Sequence, residues 1–109
     1  MEHLFVYGTL APGQPNEDKL AHLSGSWEAA SVRGRVIDLG WGSAAGYPGI
    51  LLDDSADEVN GFFFSSSELR DAWAVLDDFE GSEYLRVLTT VRLRSGAEQQ
   101  AYIYRLNID

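Results

Sequence analysis

SSSELRDAWAVLDDFEG, residues 65–81, decides how the rest of the chain is read. Leu69, Ala72, Trp73 and Leu76 recur at three- and four-residue spacing, the pattern of a helix that buries one face. Ser65 with Glu68 three residues on has the form of a capping box. Gly81 stands where helices commonly stop in a residue of positive φ. On both sides of this segment the apolar period changes from helical to two. A helix set between strands needs a sheet for its apolar face, so the neighbouring segments are read for one.

Before the helix, 50–53 and 59–64 read as two strands around the polar turn 54–57. After it, 85–94 and 98–106 alternate and are joined around Ser95-Gly96, a hairpin signal. Residues 29–39 also alternate, with Val32 and Val36 on one face and Arg33, Arg35 and Ile37 on the other, and Gly34 offers a place to bend. The chain opens with a β-prone run over 3–7. Residues 8–15 then hold two Gly and two Pro and mark a loop. Asn16 is placed to cap a short helix through about Leu23, with Leu20 and Leu23 facing inward. Residues 40–49, with four Gly and a Pro, form a long loop of the kind that carries function. The order β-α-β-β-β-α-β-β, about six strands and two helices with mostly antiparallel neighbours, predicts one small α+β domain over residues 1–109 with a curled sheet or barrel.

The bulk composition narrows the function. Apolar residues make up 45% and aromatics 12% of 109 residues, enough for a packed core. Eight basic against 17 acidic side chains leave a net charge of −9. That balance argues against nucleic acid, whose phosphates need clustered Lys and Arg, and against an anionic membrane surface. There is no cysteine, so disulfides and thiolate nucleophiles are excluded. His3 and His22 share no metal-ligand spacing, so no metal site is expected. No apolar run approaches the ~20 residues needed to span a bilayer. A soluble, cytoplasmic protein is expected.

Two segments carry the candidate chemistry. Tyr7-Gly8-Thr9-Leu10 ends the first strand in a Gly-bearing turn, which either presents free N–H groups to an anion or carbonyl oxygen or is an ordinary turn. Asp77, Asp78 and Glu80 cluster at a helix C-terminus, where the macrodipole disfavours each negative charge by roughly 0.3–1 kcal/mol. These acids are either solvated charges or a tuned site: crowding and partial burial both raise a carboxyl toward the pKa of a general acid–base group. Tyr84 and Arg86 share a strand face. Arg86 either grips a substrate carboxylate bidentately or offsets the neighbouring acids. Tyr47 in Gly46-Tyr47-Pro48-Gly49 either covers a ligand or pins its loop.

The ordered set resembles a known family. Tyr-Gly-Thr-Leu after the first strand, Tyr-Pro mid-chain, Leu-Asp-x-x-Glu-Gly, Tyr-x-Arg and a closing Ala-Tyr-Ile-Tyr strand are similar to the γ-glutamylcyclotransferase-like superfamily, over residues 4–104 and closest to its AIG2-like branch with the γ-glutamylamine cyclotransferases. The resemblance implies a mixed five- to six-stranded barrel-like sheet flanked by helices, with a cavity over the Tyr7–Leu10 loop. It implies intramolecular aminolysis of a γ-glutamyl group to 5-oxoproline, with release of an amine or amino acid and without cofactor or metal. By motif match Glu80 takes the catalytic position and Tyr7, Gly8, Thr9 and Leu10 the substrate loop, with Tyr47, Tyr84 and Arg86 as further substrate-binding candidates. The expected partner is a small γ-glutamyl compound, and the expected state a monomer or weak homodimer. Two other readings stand beside this one: a non-catalytic small-ligand-binding protein of the same fold, and a hydrolase using Asp77 with Glu80.

Overall fold

The computed structural model describes residues 2–8, 13, 18–38 and 48–107. Eight elements follow in order: β1 (Glu2–Val6), α1 (Asp18–Ala21), β2 (Ser26–Asp38), β3 (Pro48–Leu52), β4 (Glu58–Ser66), α2 (Leu69–Glu80), β5 (Tyr84–Leu93) and β6 (Glu98–Leu106). Five strands, in the order β2-β4-β1-β6-β5, curl until Ala30 and Ser31 of β2 meet Leu93 and Arg92 of β5 and close a barrel. Among the described strands the pairings are antiparallel except β1 with β6, which is parallel at Leu4 and Tyr102. β3 is the extra strand, attached to the last five residues of β2. The architecture is the α+β, barrel-like sheet with two helices that the sequence predicts.

Alternation along β1 divides the core in two. Leu4 and Val6 join Leu20, Phe64, Leu69, Trp73, Leu76 and Tyr104 beneath α2. Phe5 points the other way, into the barrel, with Val32, Phe63, Val91 and Ile103. Both faces of β1 are therefore covered, which is why Leu4, Phe5 and Val6 are buried in succession. The run Phe62-Phe63-Phe64 on the neighbouring strand has the same cause.

Three local expectations change in the tertiary setting. β2 starts at Ser26 rather than residue 29, because Trp27 packs at 4.4 Å on Phe64 and the pairing with β4 runs back to Ser26 and Ser65. Gly34, the place offered for a bend, is where β2 exchanges β4 for β3 as its partner, and beyond it Val36 and Ile37, read on opposite faces, are both exposed. The capping box is absent: Ser65 stays in β4, hydrogen-bonded to His3 Nδ1, since that strand pairs with β1 as far as Ser66. Glu68 is itself the N-cap, with helical backbone angles, and its carboxylate accepts from the Ser24 N–H. The Ser66 hydroxyl accepts from the Glu68 N–H at 3.0 Å and donates to the Ser24 carbonyl, tying the segment before β2 to the start of α2. Described α1 is a single turn with Leu20 buried as expected; Asn16 lies outside the described residues.

Candidate active site

Helix α2 lays Leu69, Trp73 and Leu76 against the sheet, and the same periodicity brings Glu80 to the sheet side at its last turn. Gly81 ends the helix at φ 80°, a region that costs a residue with Cβ but not glycine. Its N–H bonds to the Asp77 carbonyl at 3.0 Å, closing the turn that carries Glu80. The chain then reverses through Ser82 and Glu83 into β5, and the Asn107 N–H bonds to the Glu83 carbonyl to hold the turn against the end of β6.

Burial pushes the Glu80 carboxyl up to about 7. Crowding among acids, the other cause expected from the sequence, makes no contribution. The reason lies in Asp77. Its carboxylate takes the Arg86 guanidinium as a fork, Nε at 2.9 Å and Nη2 at 3.2 Å, and accepts the Tyr104 hydroxyl at 2.7 Å. The Arg86 bonds, helped by that from Tyr104, hold Asp77 below the usual carboxylate range against the opposing effect of burial. Arg86 is fixed in turn, its guanidinium 4.4 Å from the Trp73 ring and 4.9 Å from that of Tyr102. One acid of the cluster is thus compensated, while Glu80 is desolvated with no ion-pair partner among the described residues.

Three phenols lie within the field of Glu80. Tyr7, Tyr84 and Tyr104 are each raised above the ordinary tyrosine value chiefly by burial, and the negative charge of Glu80 adds to the rise in each. Tyr7 stands just past β1 and joins strands that do not pair there: its hydroxyl donates to the Tyr104 carbonyl at 2.7 Å and accepts from the Ile50 N–H at 3.1 Å. Beside that seam β3 and β6 approach so closely that a Cβ on Gly49 would collide with the Leu106 side chain. Gly8 follows at a bend, half-buried. The structure therefore brings Glu80, Tyr7 and Tyr84 together and turns Arg86 toward Asp77. Thr9, Leu10 and Tyr47 lie outside the described residues, and with them much of the cavity expected over residues 7–10.

Of two clefts lined by described residues, neither has Glu80 in its lining. One of about 190 Å³ is lined by Arg33, Glu58, Thr89 and Arg92 on the barrel flank; the other, of about 270 Å³, runs between Lys19, His22, Asp71 and Val75. Among the described residues no three His, Asp or Glu side chains converge as metal ligands.

Sequence reading does not select Tyr104. The signal is present: folding the last hairpin about Ser95-Gly96 sets Arg86 opposite Tyr104, and alternation puts Tyr102 on the same face. Chemically, the arrangement is a protonatable carboxyl poised near neutrality, surrounded by phenols, beside a fully engaged carboxylate. Such a group can take a proton and return it. Asp77, committed to Arg86 and Tyr104, is not available as the second acid of a two-carboxylate hydrolase.

A mixed five-stranded barrel with one added strand and a glutamate at the end of its crossing helix defines a class of proteins with known relatives. The profile of the "Gamma-glutamyl cyclotransferase, AIG2-like" family matches residues 4–108, and the chain belongs to that family. It is 37% identical over 68 residues to the "Gamma-L-glutamyl-butirosin B gamma-glutamyl cyclotransferase" of Niallia circulans, a match covering 62% of this chain and 40% of that protein. Among solved structures it is similar to an AIG2-like protein from Mus musculus, with TM-score 0.76 and 27% identity over 98% of this chain and 78% of that one. YkqA from Bacillus subtilis is similar to the same degree, with TM-score 0.76 and 27% identity, over 98% of this chain but 36% of its own. The matched regions thus cover less than half the length of the Niallia relative and of YkqA.

Proposed function

We propose that the protein is a γ-glutamyl cyclotransferase that converts a γ-glutamyl group to 5-oxoproline, with Glu80 as general base and then general acid. The observation that carries this reading is the position of Glu80, half-buried in a setting it shares with Tyr7, Tyr84 and Tyr104, where desolvation pushes its carboxyl up to about 7. Family membership and a relative named as a γ-glutamyl cyclotransferase support it.

The chemistry asks little of the protein. The α-amino nitrogen of the γ-glutamyl group attacks its own γ-carbonyl carbon, so nucleophile and electrophile are already tethered. An α-amine titrates near ~8 and a base with a pKa near 7 is well matched to it. As the ring N–C bond forms, the Glu80 carboxylate takes the proton from that nitrogen. As the old C–N bond breaks, protonated Glu80 gives the proton to the departing amine. Atoms and charge balance with 5-oxoproline and a free amine as products. The N–H groups of residues 7–10 are assigned to the substrate α-carboxylate or the developing oxyanion. Tyr84 is assigned to orient Glu80 or the substrate, and Tyr47 to the far side of the ligand. Arg86 acts through Asp77.

The test is 5-oxoproline release from a panel of γ-glutamyl amines and γ-glutamyl amino acids, wild type beside Glu80→Gln. Release by wild type alone is expected. Silence from folded wild type, with binding that survives Glu80→Gln, is the outcome of a non-catalytic binding protein.

A further inference from the structure

Asp77 acts on one helical turn from both ends. Its carbonyl accepts the Gly81 N–H and closes that turn from within. Its carboxylate accepts from Arg86 of β5 and Tyr104 of β6, fastening the turn from outside. Between these two attachments lies Glu80. We propose that Asp77 is a positioning residue: gripped by Arg86 and Tyr104, it fixes the last turn of α2 against β5 and β6 and so fixes where the Glu80 carboxyl sits. This rests on the reading of Glu80 as the acid–base group.

The anchoring is better than that of an ordinary surface ion pair. The Asp77 side chain is 44% exposed, and an isolated pair at that exposure contributes little. Here, however, the fork is two-pronged, the guanidinium is held between Trp73 and Tyr102, and a phenol from a third element completes the set. Tyr104 also links this clamp to the substrate-loop side, since its carbonyl accepts the Tyr7 hydroxyl.

Charge adds a second consequence. Tyr84 from β5, Tyr104 from β6 and Tyr7 from the end of β1 lie in the field of Glu80, and Asp77, Asp78, Glu83 and Arg86 are the charged groups nearest it along α2 and β5. Arg86 is the cation of that set, and Asp77 neutralises it. Removing the charge of Asp77 leaves Arg86 to favour the Glu80 carboxylate. Loosening the turn admits water, which favours it too.

The Glu80 side-chain carboxyl should be titrated by ¹³C NMR in wild type, Asp77→Asn and Tyr104→Phe, and the pH dependence of 5-oxoproline release measured beside it. In Asp77→Asn the midpoint is expected to fall by about one pH unit or more, and in Tyr104→Phe by less. The acid limb of kcat should move with it, with KM changed less than kcat. A folded Asp77→Asn with Glu80 titrating as in wild type overturns the proposal. Should Asp77→Asn not fold, an unmoved midpoint in Tyr104→Phe overturns it equally. Absence of 5-oxoproline from every variant and wild type overturns the cyclotransferase reading instead, while the NMR titration still decides the role of Asp77.

Discussion

The hydroxyl of Tyr7 lies 2.7 Å from the main-chain carbonyl of Tyr104, a residue 97 positions away, and donates a hydrogen bond to it. The same oxygen accepts the Ile50 N–H, so one phenol spans β1, β3 and β6 where no ladder joins β3 to β6. Tyr7→Phe removes both bonds and strands polar main-chain groups in a half-buried seam. A loss of about 1–3 kcal/mol is expected by urea denaturation, with the m-value unchanged. A cost below the error of the measurement means that water replaces the hydroxyl.

Activity should rise with pH through the titration of Glu80. On the proposed role of its carboxylate as the base, kcat/KM is expected to gain a rising limb with a midpoint at about 7 rather than near the ordinary glutamate value of 4.5. Glu80→Asp retains the group but withdraws it by a methylene, and a loss of about a hundredfold in kcat is expected from such misplacement. A rising limb near 4.5 would contradict the desolvated site.

The same titration should mark stability with the opposite sign. Glu80 binds its proton more tightly in the folded chain than in the unfolded one. Its contribution is fully present below the unfolded pKa and is lost as pH rises through the folded value. Between about 4.5 and about 7 wild type should lose up to about 3 kcal/mol relative to Glu80→Gln, which keeps the shape without the charge. Thermal melts of both proteins at pH 5 and pH 8 measure this. Parallel melting curves would show that water reaches the carboxylate.

Gly49→Ala tests the contact between β3 and β6. The added methyl meets Leu106, itself buried, so the side chain cannot swing aside freely. A destabilisation of about 1–3 kcal/mol is expected, as for other overpacked cores. Gly96→Ala provides the comparison: its site is open but its φ is +95°, so its cost comes from the backbone alone.

What the sequence reveals of this fold is what is local. The helix over Leu69–Glu80, its stop at Gly81 and the hairpin turned at Ser95-Gly96 are each written in a few consecutive residues. The parallel pairing of β1 with β6 and the attachment of β3 to the far end of β2 are not, because no residue encodes its partner across that distance. The capping box fails for the same reason: Ser65 satisfies the local pattern, but pairing with β1 claims it first. In the site, the carboxyl at the helix end is conspicuous from its neighbours, whereas its environment is not. Asp77, Asp78 and Glu80, close in sequence, suggest mutual repulsion, and only the folded hairpin shows that Arg86 compensates one of them while Tyr104, read only as part of the closing strand, completes the clamp.

The placement of β1 between β4 and β6 has a consequence for how the molecule comes into being. During synthesis β1 can find β4 once residue 66 has emerged, but its second partner, the carbonyl that receives Tyr7 and the phenol that donates to Asp77 all belong to β6. Pairing at such sequence separation makes barrel closure the slow event of folding. Until that strand docks, Glu80 sits on a helix with no pocket around it. The environment that raises the Glu80 carboxyl therefore arrives only with that late step, and a nascent or partly unfolded chain carries an ordinary glutamate.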